Sequence, residues 1–313
     1  MPTIVKSPHQ SRWWIVLGVI AVALLAMVGN LVMITARFQR VDLLMPASAG
    51  PRTWVIVGLD DRAAASSEIT RTTGEADTQP GTRADVILLV TETPRGLVTT
   101  AIPRNLWFHS NSAQDGGVLK DLDATARLGA QWQVSPQTFV DNMCVGLRIP
   151  VDHLVTIDLQ GFVDVVDVLG GVEVEVPRAL RDTQVDLDVP AGRIHLDGVH
   201  ALSYVRSRLG ETLIDGQWVP EPEGEQARRE RQAQLLSAVL GKVRKSPLSW
   251  QQVIWRVSPH LGLATGTGID DLMDLRSLQQ ATTLPTEPNG SADEITVETR
   301  RHLSELGYRS CYL

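Results

Sequence analysis

The chain has 313 residues, 21% of them charged, a formal charge of −7 and two cysteines. An apolar content of 43% excludes a disordered chain, and two thiols exclude both a disulfide scaffold and a four-thiolate zinc site. Residues 1–36 hold Lys6 and Arg12 and no acid, so the remainder carries 27 basic and 36 acidic residues, a balance of −9 that argues against nucleic acid as a partner.

In chain order, Ile15 to Ile34 is uncharged, and with Trp13, Trp14 and Thr35 it makes a 23-residue segment. As a helix it would be roughly 35 Å long, enough to cross a hydrocarbon core of about 30 Å. The apolar run is too long for a cleavable signal, where it is about 7–15 residues, and the Trp pair suits the interfacial belt. Lys6 and Arg12 before the span balance Arg37 and Arg40 after it, and the free amino terminus tips the N-terminus toward the cytoplasm. The expected organisation is a cytoplasmic tail (1–12), a single-pass anchor in the cell membrane (13–35), a linker (36–50), an extracytoplasmic domain (51–283) and a looser C-terminal tail (284–313) marked by Pro285, Pro288 and Gly290.

Thr53–Gly58, Asp85–Thr91, Gly96–Ile102, His153–Leu159 and Val172–Val176 read as strands. Ser135-Pro136 opens a helix that ends near Leu147, with Ser as cap and Pro in the first turn. Gln160–Leu169 is a short helix stopped by Gly170-Gly171. His200–Val205 is another, and Glu225–Val243 is a longer amphipathic helix with Leu235, Leu236, Val239, Leu240 and Val243 on its apolar side. Interleaved strands and helices place the chain in the α/β class, with a buried sheet covered by helices on both faces.

No metal-hydrolase spacing, G-x-S-x-G elbow or Walker loop is present. What remains is Asp and Arg at strand ends and helix starts. Asp60, Asp61 and Arg62 follow the first strand, Arg83 precedes the second with Asp85 opening it, and Arg104 follows the third. Loops at strand ends build ligand sites in open α/β sheets, and two carboxylates can share a hard cation that also takes phosphate oxygens. Turn-capping Asp with surface Arg would give the same spacing. Arg206-Ser207-Arg208 follows a short helix; the two guanidiniums can hold one ligand only if the chain has left the helix there, since residues two apart share a side in extended backbone. Arg228, Arg231 and Gln232 share one face at the start of a helix, where a positive dipole end already favours an anion. A solvated basic face is the alternative in both cases.

Taken in order, these motifs resemble the LytR–CpsA–Psr family of bacterial envelope proteins, over the N-terminal anchor and most of residues 53–245. Gly58-Leu59-Asp60-Asp61-Arg62 is similar to the family's G-x-D-x-R, Arg83-Ala84-Asp85-Val86 to R-S-D-T, and Ala101-Ile102-Pro103-Arg104-Asn105 to S-I-P-R-D. Asp158 to Phe162 and Leu169-Gly170-Gly171-Val172 resemble D-F-x-G-F and L-G-G-V; Leu196 to Arg208 resembles L-D-G-x-x-A-L-x-Y-x-R-x-R; Gly224 to Gln232 resembles G-D-x-x-R-x-x-R-Q. The resemblance implies a three-layer α/β/α sandwich with a central mixed sheet, preceded by one transmembrane helix and lined by an apolar cleft for a lipid tail. It also implies a phosphotransferase that moves a glycopolymer, with one phosphate, from a polyprenyl pyrophosphate carrier to a peptidoglycan hydroxyl at the outer membrane face.

By position, the resemblance assigns Asp60 and Asp85 to Mg²⁺ and gives catalytic roles to Arg104, Arg206, Arg208 and Asp85. It gives substrate-binding roles to Arg62, Arg83, Arg228 and Gln232. The chain departs from the family pattern in three places: Asn105 replaces Asp and loses its charge, Lys120-Asp121-Leu122 keeps only the Lys of K-I-N, and an acidic insertion runs from Gly210 to Gly224. That insertion reads either as a lid or acceptor-specific loop, or as a tolerated surface insertion. A non-catalytic lipid-linked glycan-binding or regulatory protein, and a polyprenyl-pyrophosphate phosphatase, are the alternative functions. A Cys144–Cys311 disulfide is open to the chain in an oxidising compartment.

Overall fold

In the computed structural model a helix, α1 (Pro8–Thr35), leads into a short strand, β1 (Gln39–Val41). Then come β2 (Thr53–Leu59), β3 (Ala84–Thr93), β4 (Gly96–Ile102), β5 (Leu106–Trp107), α2 (Leu128–Val134), α3 (Pro136–Leu147), β6 (His153–Ile157) and α4 (Leu159–Val168). The middle of the chain holds β7 (Val172–Val176), β8 (Leu180–Asp182), β9 (Leu187–Val189), β10 (Gly192–Leu196), α5 (Gly198–Arg206), β11 (Glu211–Ile214), β12 (Gln217–Pro220) and α6 (Gly224–Lys245). It closes with α7 (Ser249–Val257), β13 (Leu261–Ala264), α8 (Ile269–Asp274), β14 (Thr282–Thr283), β15 (Glu287–Asn289), β16 (Ala292–Glu294) and α9 (Val297–Glu305). The structure describes residues 8–45, 50–61, 66, 69, 82–107, 127–222, 224–245, 249–278, 281–290 and 292–311.

Seven strands in the order β1-β13-β6-β2-β3-β4-β14 form the central sheet, in which β2 lies parallel to β6 and antiparallel to β3. Alternation along β2 sorts its side chains. Val55 and Val57 face one core with Trp132 of α2 and Phe139, Val140 and Met143 of α3; Trp54 and Ile56 face a second core with Ile254 of α7 and Leu272 of α8. Helices on both faces make the α/β/α sandwich expected from the sequence. A third core lies outside those layers, where the β7–β10 ribbon, β8 and β9 pack against Ala201 and Tyr204 of α5 and Leu235 of α6. Helix α6 is thus a seam: Leu235 and Val239 pack into the third core and Leu240 into the second.

Local chemistry fixes the helix ends. The side chains of Ser135, Asp158 and Asp197 accept the N–H groups of Thr138, Gly161 and His200, so α3, α4 and α5 each start on a capped turn. Gly170 and Gly171 take φ of +71° and +74° to end α4, and the Lys242 ammonium donates to the carbonyls of Leu169, Gly170 and Gly171.

Two expectations need correction. The linker, 36–50, contains β1, which pairs parallel with β13 as an edge of the main sheet, and buries Phe38 and Leu43 on opposite faces. Ile34, in the last turn of α1, is buried in the same cluster as Trp54 and Phe38. The end of α1 is therefore seated on the domain rather than tethered from it. The rest of α1 projects apolar side chains outward, with Val22, Leu25 and Met27 each about two-thirds exposed or more. The C-terminal stretch, 284–313, is also no loose tail: Leu284, Leu303 and Tyr308 lie in the first core, and β16 pairs with β5. Pro288 lies within β15, and Gly290 turns the chain toward β16. The Tyr308 hydroxyl bonds to the hydroxyls of Thr53 and Thr91, and burial pushes the Tyr308 phenol up to about 12.

Cys144 on α3 is bonded to Cys311, 167 residues later. This closes a loop of most of the domain in the unfolded chain. Cys311→Ser should lower the stability of the full chain by about 2–5 kcal/mol, or at least about 4 °C in melting temperature. Reductant should bring the wild type down to the variant and leave the variant unchanged; identical melts for both proteins would remove the crosslink from the stability account.

Candidate active site

Strand β2 ends at Leu59 and hands on Asp60, whose N–H donates to the carbonyl of Arg83 just before β3. A register shift between Gly58 and Leu59 brings the two strand ends together at this point. Asp85, second residue of β3, is ion-paired with Arg104, which follows β4. Asp60 accepts both Nη atoms of Arg206 from the end of α5, at 3.1 and 3.4 Å. Three strand ends and one helix end therefore converge on two carboxylate–guanidinium pairs. Asp60 is 10% exposed and Arg206 14%. The Nε atoms of both Arg104 and Arg206 are buried without a hydrogen-bond partner, so each guanidinium has donor capacity that the protein leaves unused.

Helix α5 ends at Arg206, and Ser207 takes φ −54° and ψ 126°. The chain has left the helix at the residue between the two arginines, as the Arg-Ser-Arg spacing requires for a shared ligand. Ser207 is fully buried while Arg208 is exposed, so the side chains alternate. The carbonyl of Arg208 lies against the start of α6, where a Cβ on Gly224 would come within 2.6 Å of it. Arg228, on the first turns of α6, is buried, and Arg83 is half-buried with its carbonyl held by Asp60.

Next to these charges one sheet face is apolar. Trp54 pairs with Val90, Ile56 with Leu88 and Gly58 with Val86. The row runs from the cluster that holds Ile34 and Phe38 to the strand ends bearing Asp60 and Asp85. At its ionic end Val86 is 39% exposed and Ile56 half-buried, so apolar surface is open to a ligand beside the ion pairs.

A family model described as the LytR_cpsA_psr family matches residues 34–283. The chain belongs to the LytR–CpsA–Psr family. The solved LytR-Csp2A-Psr enzyme from Actinomyces oris is 33% identical, superposes with a TM-score of 0.72 and covers 88% of this chain and 98% of that one. The polyisoprenyl-teichoic acid–peptidoglycan teichoic acid transferase TagU of Enterococcus faecalis is 29% identical over 201 residues, 62% of this chain and 60% of that protein. The probable cell wall biosynthesis protein LcpB of Corynebacterium glutamicum is 29% identical over 195 residues, 61% of this chain. The chain spans 60% and 45% of the lengths of these two curated relatives.

In this LytR–CpsA–Psr chain the residues singled out from sequence divide clearly. Asp60, Asp85, Arg83, Arg104 and Arg206 are contiguous. Arg208 and Arg228 attach to the same framework through Gly224 and α6. Arg62 and Lys120 lie outside the described residues. Gln232 donates to the carbonyl of Val205 at 3.4 Å, so it braces α5. Arg231 turns to α5 as well and to Glu221, rather than toward the strand ends. Asn105 gives its carbonyl to the N–H of Asp293, which in turn pairs with Arg229. The insertion, 210–224, folds as the β11–β12 hairpin on the edge of a four-stranded sheet with β8 and β9.

Two positions carry the site without any sequence signal for it. Asp182 accepts the Ser207 hydroxyl at 2.8 Å. Gly129, at the start of α2, donates its N–H to the Arg104 carbonyl at 2.8 Å. A Cβ there would lie 2.5 Å from the Ala84 carbonyl oxygen and 3.0 Å from the Arg104 Cβ, between the two segments that carry Asp85 and Arg104. Gly129→Ala should therefore cost about 1–3 kcal/mol of stability by overpacking and spread the Asp85–Arg104 edge. Melting temperature and a crystal structure of the variant check this; an unchanged melt with the pair intact would show that the backbone yields freely.

Proposed function

We propose that the protein is a membrane-anchored phosphotransferase that takes a glycan carried on a polyprenyl pyrophosphate and transfers it, with one phosphate, to a peptidoglycan hydroxyl. The observation that carries this is the juxtaposition of a guanidinium cluster with apolar surface, at Ile56 and Val86, left open beside it. A polyprenyl pyrophosphate presents that same pairing, a doubly negative diphosphate beside a long hydrocarbon chain. The named activity of the Enterococcus faecalis relative, transfer of teichoic acid to peptidoglycan, supports the same reading.

In the proposed reaction an acceptor hydroxyl oxygen forms a bond to the glycan-linked phosphorus. The bond from that phosphorus to the bridging oxygen breaks, polyprenyl phosphate leaves and the hydroxyl proton is lost. Negative charge gathers on the leaving oxygen. Arg104 and Arg206 each keep a buried Nε–H without a hydrogen-bond partner, and with Arg83, Arg208 and Arg228 they supply guanidiniums that can offset this charge. Planar guanidiniums suit this task because each can make paired hydrogen bonds to phosphate oxygens.

Asp60 and Asp85 would hold Mg²⁺. Two carboxylates, with phosphate oxygens and water completing the shell, fit the way this ion is bound at phosphoryl sites, and among the described residues no third His, Cys, Asp or Glu joins them. The ion would supply neutralisation of diphosphate charge. Arg104 and Arg206, now paired with Asp85 and Asp60, are the guanidiniums placed to take up phosphate oxygens.

Helix α1 is long and apolar enough to span a bilayer, and the disulfide suits an oxidising exterior. The proposed placement is single-pass, with residues 1–12 in the cytoplasm and the domain outside. Purified full-length protein in detergent, given Mg²⁺, a polyprenyl-pyrophosphate glycan and a peptidoglycan acceptor, should release polyprenyl phosphate. Asp85→Ala and Arg206→Ala should each lower turnover by about a hundredfold or more. Release that persists at the same rate without acceptor would replace transfer by hydrolysis, and tight donor binding without turnover would leave a binding protein.

A further inference from the structure

The Arg231 guanidinium makes three hydrogen bonds that together grip the segment between the catalytic arginines. Nε donates to the Tyr204 carbonyl at 3.0 Å, Nη2 to the Ser207 carbonyl at 2.7 Å and Nη1 to Glu221 at 2.6 Å. Arg231 is 6% exposed, and its plane sits near the Tyr204 ring. Ser207 is fixed on its other polar groups too: its hydroxyl donates to Asp182 and its N–H to the Ser203 carbonyl. Asp182 is itself buried, and its second oxygen takes the Gln184 N–H.

The consequence follows from backbone geometry. In extended chain, successive side chains point to opposite sides. Holding Ser207 inward by three hydrogen-bonding groups forces residues 206 and 208 to the other side. Rotation at Ser207 would move Arg208 relative to Arg206, which ends α5. The charge on Arg231 is matched by Glu221, which comes from the end of the acidic insertion, and its carbonyl-directed donors are spent within the protein. It is not available to a diphosphate, although its spacing from Arg228 and Gln232 suggests that it would be.

We propose that Arg231, with Glu221 and Asp182, is a positioning residue that sets Arg206 and Arg208 for the transfer reaction. This rests on the proposed function. It also gives the insertion a role: the segment after β12 supplies the counter-charge that keeps Arg231 in place. An arginine suits this place because its planar fork presents donors to two carbonyls and a carboxylate in fixed, spread directions, whereas a lysine ammonium gathers its donors at one point.

The test uses full-length protein in detergent with the variants Arg231→Lys, Arg231→Ala and Glu221→Gln. Turnover should fall by about tenfold to a hundredfold in Arg231→Lys, as expected for misaligned groups, with the donor KM changed less than about threefold. Added guanidinium at millimolar concentration should restore part of the Arg231→Ala activity. Amide exchange of a peptide covering residues 204–209 should rise in Arg231→Lys and Glu221→Gln, and guanidinium should reverse it in Arg231→Ala. A raised donor KM at unchanged kcat would make Arg231 a substrate ligand and overturn the proposal, as would unchanged exchange at 204–209. If Arg231→Lys does not fold, Glu221→Gln is read by the same criteria. Failure of the wild type to release polyprenyl phosphate would refute the functional reading, while the exchange measurement would still judge whether Arg231 holds the segment.

Discussion

The structure is organised around two carboxylate–guanidinium pairs, Asp60 with Arg206 and Asp85 with Arg104. Charges this far from water cost several kcal/mol each unless matched. The pairs answer that cost between them, and they do so with residues from the ends of β2 and β3, the turn after β4 and the end of α5. Each pair joins two separate stretches of chain, and the four stretches meet at one end of the sheet. The supporting contacts are accordingly backbone ones: the Asp60 N–H to Arg83, the Gly129 N–H to Arg104 and the bulge at Gly58. Each charge in the two pairs is thus matched within the protein.

The same strands that deliver the charges also build the apolar face beside them. The alternation that sends Val55 and Val57 into one core leaves Trp54, Ile56 and Gly58 on the other side, opposite Val90, Leu88 and Val86. From Trp54 to Asp60 is about 20 Å of extended strand. One end of that span packs with Ile34 and Phe38 at the foot of α1, and the other meets the ion pairs. In the proposed function this sets a fixed distance between the bilayer and the reacting phosphate, which a free linker could not do.

Much of this was legible in the sequence because it depends on local rules. Strand alternation, the caps at Ser135, Asp158 and Asp197, and the Gly170-Gly171 stop each act over a few residues and appear where those rules place them. The Arg-Ser-Arg spacing even stated its own condition, that the helix end before Arg208, and α5 meets it. What escaped depends on approach between distant segments. Nothing around Gly129 says that its missing Cβ admits the Ala84 and Arg104 backbones, and Asp182 looks like any polar residue in a short strand. Arg231 was grouped with Arg228 and Gln232 by helical spacing, which fixes direction from the axis and not which neighbour lies there. The misread edges have a physical cause as well: β1 is only three residues long, and the C-terminal segment is polar apart from spaced anchors such as Leu284, Leu303 and Tyr308.

Charge distribution ties the site to its surroundings. Beyond residue 36 the chain carries a balance of −9, so its long-range field repels anions. At physiological ionic strength that field decays over about 8 Å. An anionic ligand therefore gains nothing from electrostatic steering and must be brought close by other means. A free phosphate compound would find this site slowly. In the proposed function, a diphosphate whose hydrocarbon chain shares a bilayer with α1 would already be confined near the plane where the site lies, and the apolar surface at Ile56 and Val86 would receive the part of its tail beside the ion pairs. On the proposed reading, acidity elsewhere on the domain would then be selective, disfavouring soluble polyanions against a lipid-borne one.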